Sequence, residues 1–253
     1  MNAAFTKALS VLGVGLFAVL WLGGVVAYAC WGAPPAGSEW TAPAFLVLGA
    51  ALATFSAAEA GAARSVRLLL VALFGFLLEA LGVATGWPFG EYTYTEVLGP
   101  RALGVPLVLG AAWLLVASWA DGLARRFLTF RTGRVVLGAA LMTALDLVLD
   151  PLAAGPLGYW TWPAGGTYHG IPASNFLGWF LAGLVAQALL AGAPAPVRLE
   201  RRIGLALLGF FSLLATLLGL WLPALVGWGW GGGVGVAVRA GLTSRSDATS
   251  GRW

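Results

Sequence analysis

Residues 141–179 read LMTALDLVLDPLAAGPLGYWTWPAGGTYHGIPASNFLGW, and this stretch decides the fold. It opens in an apolar run that carries two acids one helical turn apart, Asp146 and Asp150, with Pro151 directly after them. The aromatic loop Gly158-Tyr159-Trp160-Thr161-Trp162-Pro163 follows, then Tyr168-His169-Gly170-Ile171-Pro172 and Asn175, before a second apolar run opens at Gly178-Trp179. Two apolar runs joined by a loop of rings predict a helical hairpin at lipid depth. Carboxylates are costly there, so Asp146 and Asp150 are candidates for a functional site.

Composition places the whole chain in the same environment. It is 60% hydrophobic and 9% charged over 253 residues, with a mean hydropathy of +0.88. A soluble domain carries about 25% charged residues, so the expected class is an all-α, polytopic transmembrane bundle. The net charge of +4 is small, and the basic residues lie between apolar runs. They read as orientation signals, not as a nucleic-acid surface. The single Cys30 has no partner for an intrachain disulfide and reads as a packed thiol.

Seven spans are expected, at about 8–30, 42–60, 68–87, 104–120, 135–152, 176–192 and 203–222. Ala27-Tyr28-Ala29 resembles a signal-peptidase site, but the run before it is longer than a signal sequence needs, so the first span is read as retained. Glu59 beside Arg64 and Arg67 reads as an interfacial charge cluster, and Asp121 four residues before Arg125 as a helix-end ion pair. Residues 1–238 are read as one transmembrane domain, and 239–253 as a polar, disordered tail. The N-terminus and the loops after spans two, four and six hold 1, 2, 4 and 3 Lys/Arg; the other three loops hold 0, 1 and 0. That asymmetry puts the N-terminus in the cytoplasm of a multi-pass cell-membrane (inner-membrane) protein, with the aromatic loops on the opposite side. The arginines of the tail conflict with this unless Pro223–Val238 forms an eighth, weak span or a re-entrant segment.

Two blocks, about 68–120 and 135–192, echo each other. Glu79 aligns with Asp146, Tyr92-Thr93-Tyr94 with Trp160-Thr161-Trp162, Gly104-Val105-Pro106 with Gly170-Ile171-Pro172, and Trp113 with Trp179. Each block is a helix with a buried acid, an aromatic hairpin loop and a returning helix. The copies share one orientation, which implies a pseudo-two-fold axis along the membrane normal with a site at the repeat interface.

The chemistry of these residues is that of proton transfer. Asp146 and Asp150 lie about 5–6 Å apart on one helix face. Desolvation and mutual repulsion disfavour ionising both, so one is expected to keep its proton beside an ionised partner, a donor next to a base. Pro151 is expected to end or kink the helix at Asp150. Glu79 lies at the depth of Asp146 and is a competing donor. His169 could assist proton transfer or orient water, or make only a structural hydrogen bond. Asn175 reads equally as a polar contact in the site or as a helix N-cap. Trp87, Phe89, Tyr92, Tyr94, Trp160, Trp162, Tyr168 and Trp179 read as substrate-binding rings. Ring faces stabilise a carbocation, by about 2 kcal/mol or more when desolvated, although tryptophan and tyrosine also gather at membrane interfaces for reasons of solvation alone. The structural alternative is that the acids simply cap broken helices or bond neighbouring ones. No Cys/His cluster offers a metal site and no phosphate-binding loop is present; Gly227, Gly229 and Gly232 match a dinucleotide spacing without its strand–helix context.

With these residues in view, the chain resembles the membrane carotenoid 1,2-hydratases that act on γ-carotene or bisanhydrobacterioruberin. The first set of matching motifs is Glu79, Gly86-Trp87-Pro88-Phe89-Gly90-Glu91-Tyr92-Thr93-Tyr94, Leu98-Gly99-Pro100, Gly104-Val105-Pro106 and Trp113. The second is Asp146, Asp150-Pro151, Trp160-Thr161-Trp162, Tyr168-His169-Gly170-Ile171-Pro172, Asn175 and Gly178-Trp179. The resemblance covers about residues 74–182 and implies addition of water to the terminal double bond of a linear carotenoid, giving a tertiary alcohol. It implies a lipophilic carotenoid and water as substrates, membrane lipid as surroundings and no cofactor. The rival readings are a lycopene-type cyclase, which protonates the same alkene but excludes water, and a membrane transporter or carotenoid-binding protein that leaves its ligand unchanged. Oligomeric state is not legible in the sequence.

Overall fold

The computed structural model describes the backbone of residues 3–239 and the side-chain surroundings of residues 8–230, so the expected polar tail lies outside the described residues but for Arg239. The described residues form eight helices: α1 (Ala3–Trp31), α2 (Thr41–Ala57), α3 (Ala62–Thr85), α4 (Leu109–Phe127), α5 (Arg131–Ala154), α6 (Ala173–Leu190), α7 (Arg198–Leu217) and α8 (Trp221–Arg239). Five stretches are long and apolar enough to cross a membrane: Ala8–Trp31, Thr41–Ala60, Ala62–Thr85, Arg131–Ala154 and Ala173–Leu190. This is a helical membrane protein.

Helix α4 is the centre of the bundle. Every residue from Trp113 to Ala124 is buried, against α2, α3, α5 and α7. Helices α3, α4, α5 and α6 form a four-helix unit in which α3 packs on α4 and α6, and α5 on α4 and α6. Helices α2, α7 and α8 cover one side of it, and α1 lies outermost against α2 and α7 with most of its surface uncovered.

Several boundaries differ from the apolar runs. Helices α3 and α7 begin at Ala62 and Arg198, before the apolar runs at 68 and 203, because polar first turns still satisfy helical hydrogen bonding. Helix α4 begins only at Leu109, because β2 (Arg101–Ala102) and β3 (Val105–Pro106) pair as a hairpin where a span was expected from residue 104. Pro151 does not end α5, which runs on to Ala154. Proline removes the N–H that would bond the carbonyl of Leu147, and the Tyr168 hydroxyl donates to that oxygen instead, at 2.7 Å.

The charge cluster near Arg64 is also rearranged. Glu59 is exposed, in a short 3-10 turn before Gly61, whose φ of 126° redirects the chain. Arg64 points inward and is 0% exposed. It donates from Nε to both carboxylate oxygens of Glu200 on α7, at 2.9 and 2.8 Å, and from Nη1 to Asp121 Oδ2 at 3.0 Å and Pro194 O at 2.8 Å. Ser118 Oγ also donates to Glu200, and the expected Asp121–Arg125 pair is present, with Arg125 Nε 2.7 Å from Asp121 Oδ1. This paired cluster ties α3, α4 and α7 together near the end of the bundle where α4 finishes.

Candidate active site

A second buried polar cluster lies towards the other end of the four-helix unit, under the two aromatic loops. Glu79 comes from α3, Asp146 and Asp150 from α5, and Asn175 from the first turn of α6; all four are 5% exposed or less. The aromatic loops close over them. Strand β1 (Thr93–Tyr94) pairs antiparallel with β4 (Trp160–Thr161), Thr93 opposite Thr161 and Tyr94 opposite Trp160. Thr95 reinforces the ladder, donating from its backbone N–H to Tyr159 O at 2.9 Å and from Oγ1 to Gly158 O at 2.6 Å.

Glu79 accepts three hydrogen bonds. Tyr94 Oη donates to Oε2 at 2.8 Å, Tyr92 Oη donates to the same oxygen, and Trp113 Nε1 donates to Oε1 at 3.0 Å. Burial and the neighbouring Glu79 charge push both tyrosines upward from their ordinary pKa, so they remain donors at every physiological pH. Glycine makes this packing possible: a Cβ at Gly75 would lie 2.1 Å from the Trp113 ring, and one at Gly82 would lie 2.6 Å from Tyr92 Oη.

The aspartates share one donor. Asn175 Nδ2 lies 2.8 Å from Asp146 Oδ2 and 2.6 Å from Asp150 Oδ2, and Trp160 Nε1 donates to Asp150 Oδ1 at 2.6 Å. Asn175 is therefore not the cap of α6; Pro172 precedes the first helical residue, Ala173, and Asn175 bridges the acids from inside the helix. The indole N–H of Trp162 is buried without a hydrogen-bond partner. None of the ion pairs among the described residues involves Glu79, Asp146 or Asp150.

These groups surround a cavity of about 40 Å³, lined by Glu79, Phe89, Tyr92, Tyr94, Leu109, Asp146, Asp150, Trp160, Trp162, Asn175 and Trp179. Ten of the candidate residues named from sequence line it; Leu109 does too, although it was read only as part of an apolar span. The other candidates lie elsewhere. Trp87 is 62% exposed. His169 is exposed, holds a φ of 52° and packs edge-on against Tyr168 at 4.9 Å. The Tyr168 hydroxyl is committed to Leu147 O; burial and the Asp146 charge hold its pKa up at about 12. Trp113 was visible in the sequence as the repeat partner of Trp179 and as one of the family motifs, not as a partner of Glu79. The two indoles stack at 4.4 Å and 3°, and Trp113 also bonds Glu79.

A helical membrane bundle with three unpaired carboxyls buried beneath aromatic rings is an arrangement for proton chemistry on an apolar ligand. A family model described as "carotenoid biosynthesis protein" matches residues 41–234, and the chain belongs to this family. It is also 34% identical over 146 residues to the bisanhydrobacterioruberin hydratase of Haloarcula japonica, covering 54% of this chain and 47% of that one. The chain thus spans about half the length of that curated relative. No solved structure matches.

Proposed function

We propose that the protein is an intramembrane hydratase that adds water to the terminal C=C of a linear carotenoid end group. The observation that carries this reading is the cavity itself. It combines buried acids that lack a cation, a ring lining and one free N–H donor, in a space large enough for a single water, which needs about 10–15 Å³ of accessible volume and two or more polar partners.

Donor counts assign the roles. Hydrogen bonds to a carboxylate favour its ionised form. Glu79 accepts from three side chains, Asp150 from two and Asp146 from one. Asp146 is accordingly the proton donor. It protonates the less substituted alkene carbon, leaving a tertiary cation that the rings of Phe89, Tyr92, Trp162 and Trp179 face. Water held by the Trp162 N–H adds to the cation, and Asp150 takes the proton that the water loses. Passing that proton to Asp146, one turn away, restores the site, and the net change is one water added. Glu79 remains ionised and offsets the positive charge. No step needs a cofactor. His169 lies outside this constellation, and its role here is confined to the loop.

The ladder supports an internal repeat across 68–120 and 135–192. Tyr92 and Tyr94 correspond to Trp160 and Trp162, yet Tyr94 pairs with Trp160, and the Tyr92 ring lies 5.0 Å from Trp162. Each copy's first ring meets the other's last, while Thr93–Thr161 and Trp113–Trp179 join equivalent positions. Such self-complementary contacts are those of a two-fold axis. With that axis along the membrane normal, we read eight crossings, with α8 as the last, the N-terminus cytoplasmic and the aromatic loops on the far side.

The test is product mass. Pigments extracted from a host that makes linear carotenoids, with and without this gene, are expected to differ by one water per modified end group. A product of unchanged mass indicates cyclisation, and unchanged pigment that co-purifies with the protein indicates a binding protein; either sinks the hydratase reading.

A further inference from the structure

The acid cavity is too small for more than the reacting end of a long molecule, so the remainder must lie elsewhere. Two further cavities adjoin it in series. The first, about 60 Å³, is lined by residues that include Leu98, Leu149 and Leu207, and it shares Leu109 and Trp160 with the acid cavity. The second, about 310 Å³, lies between α1, α2 and α7, and it shares Leu46, Tyr159 and Phe211 with the first. Its size is at the lower end of the roughly 300–1,000 Å³ of ordinary ligand sites. Its walls are mostly apolar, and one of them is α1, the least buried of the five candidate spans. Side chains shared by successive cavities separate them, with Tyr159 and Trp160 adjacent in sequence and their rings 6.2 Å apart.

We propose that the three cavities form one path for a long linear polyene, entering from the bilayer between α1 and α7, passing Tyr159 and Trp160, and presenting its terminal double bond to Asp146. The assignment rests on the acid cluster being the reaction site. Trp160 is a positioning residue here, since it partitions the path while its N–H holds Asp150. Occupancy by a reacting chain follows from continuity with that site: a lipid acyl chain has no reason to be led to three carboxyls.

Two glycines on α1 allow a clean test. Gly23 lines the large cavity, and a Cβ built there meets nothing within 4 Å, so a side chain can start from this position without a clash at its first carbon. Gly15 is on the same helix, is exposed, has equally open space and does not line the path. The full-length chain in membranes is assayed as wild type, Gly23→Phe and Gly15→Phe. The substrates are a full-length linear polyene and a short alkene of two isoprene units with the same end group. Blocking the path is expected to lower kcat/KM for the long substrate by about tenfold or more, leaving the short one unchanged, with Gly15→Phe equal to wild type on both. Equal rates for Gly23→Phe and wild type on the long substrate overturn the path, as does equal loss on both substrates. If wild type transforms neither alkene, the acid assignment fails instead. The path is then judged by polyene retained after purification: lower retention in Gly23→Phe than in Gly15→Phe upholds it, and equal retention overturns it.

Discussion

The bundle contains two buried charge clusters that have opposite designs. At one end, Arg64 and Arg125 neutralise Glu200 and Asp121, and backbone carbonyls of Leu190, Ala193 and Pro194 accept further guanidinium N–H groups. At the other, Glu79, Asp146 and Asp150 are held by phenols, indoles and one amide, with no cation among their partners and a cavity in their midst. Burying a charge is tolerable when a partner neutralises it. Where only neutral donors surround three carboxyls, a proton on one of them relieves the repulsion, and that proton can be given away. The first cluster fixes helices, and the second is the one to which we assign the proposed chemistry.

That contrast can be broken by substitution. The largest effect is expected from Asp146→Asn, which keeps the shape and removes the transferable proton. Turnover should fall by about 10²–10⁴-fold, the ordinary worth of a general acid, while the thermal midpoint in detergent holds or rises. An active Asp146→Asn protein would remove Asp146 from the donor role. The reverse pattern is expected from Arg64→Met. It strands Glu200, leaves Asp121 with Arg125 alone and should cost about 3–5 kcal/mol of stability, seen as a lowered midpoint, with the folded fraction still able to turn over. A smaller effect is expected from Tyr168→Phe, which leaves Leu147 O without a donor. The loss should be about 1–3 kcal/mol, with a modest decline in rate because the turn that carries both aspartates loosens. A Tyr168→Phe midpoint equal to wild type would show that the freed carbonyl finds water instead.

Much of this was legible in the sequence because it depends on periodic apolar runs and on residues that are costly in lipid. The helices followed from the first, and Glu79, Asp146 and Asp150 from the second. What could not be read were partnerships across long separations. Arg64 lies five residues from Glu59 but pairs with Glu200, because the face of α3 that turns inward is set by packing on α4 and α7 rather than by proximity along the chain. Asn175 read equally as a site residue and as a cap because it opens an apolar run, and only the approach of α6 to α5 shows it bridging two acids. Trp87, Trp160 and Trp162 are indistinguishable by type, yet the first faces outward and the others line the cavity, a distinction made by the pairing of Tyr94 with Trp160.

The bond from Tyr168 to Leu147 has a consequence for how the chain is made. A helix whose missing rung is supplied from 21 positions downstream is unfinished when it first enters the bilayer. The fifth helix keeps one open carbonyl beside its two acids until the following loop has folded back. Assembly of the acid-bearing turn is therefore tied to arrival of the sixth helix, and the two mature as a single hairpin.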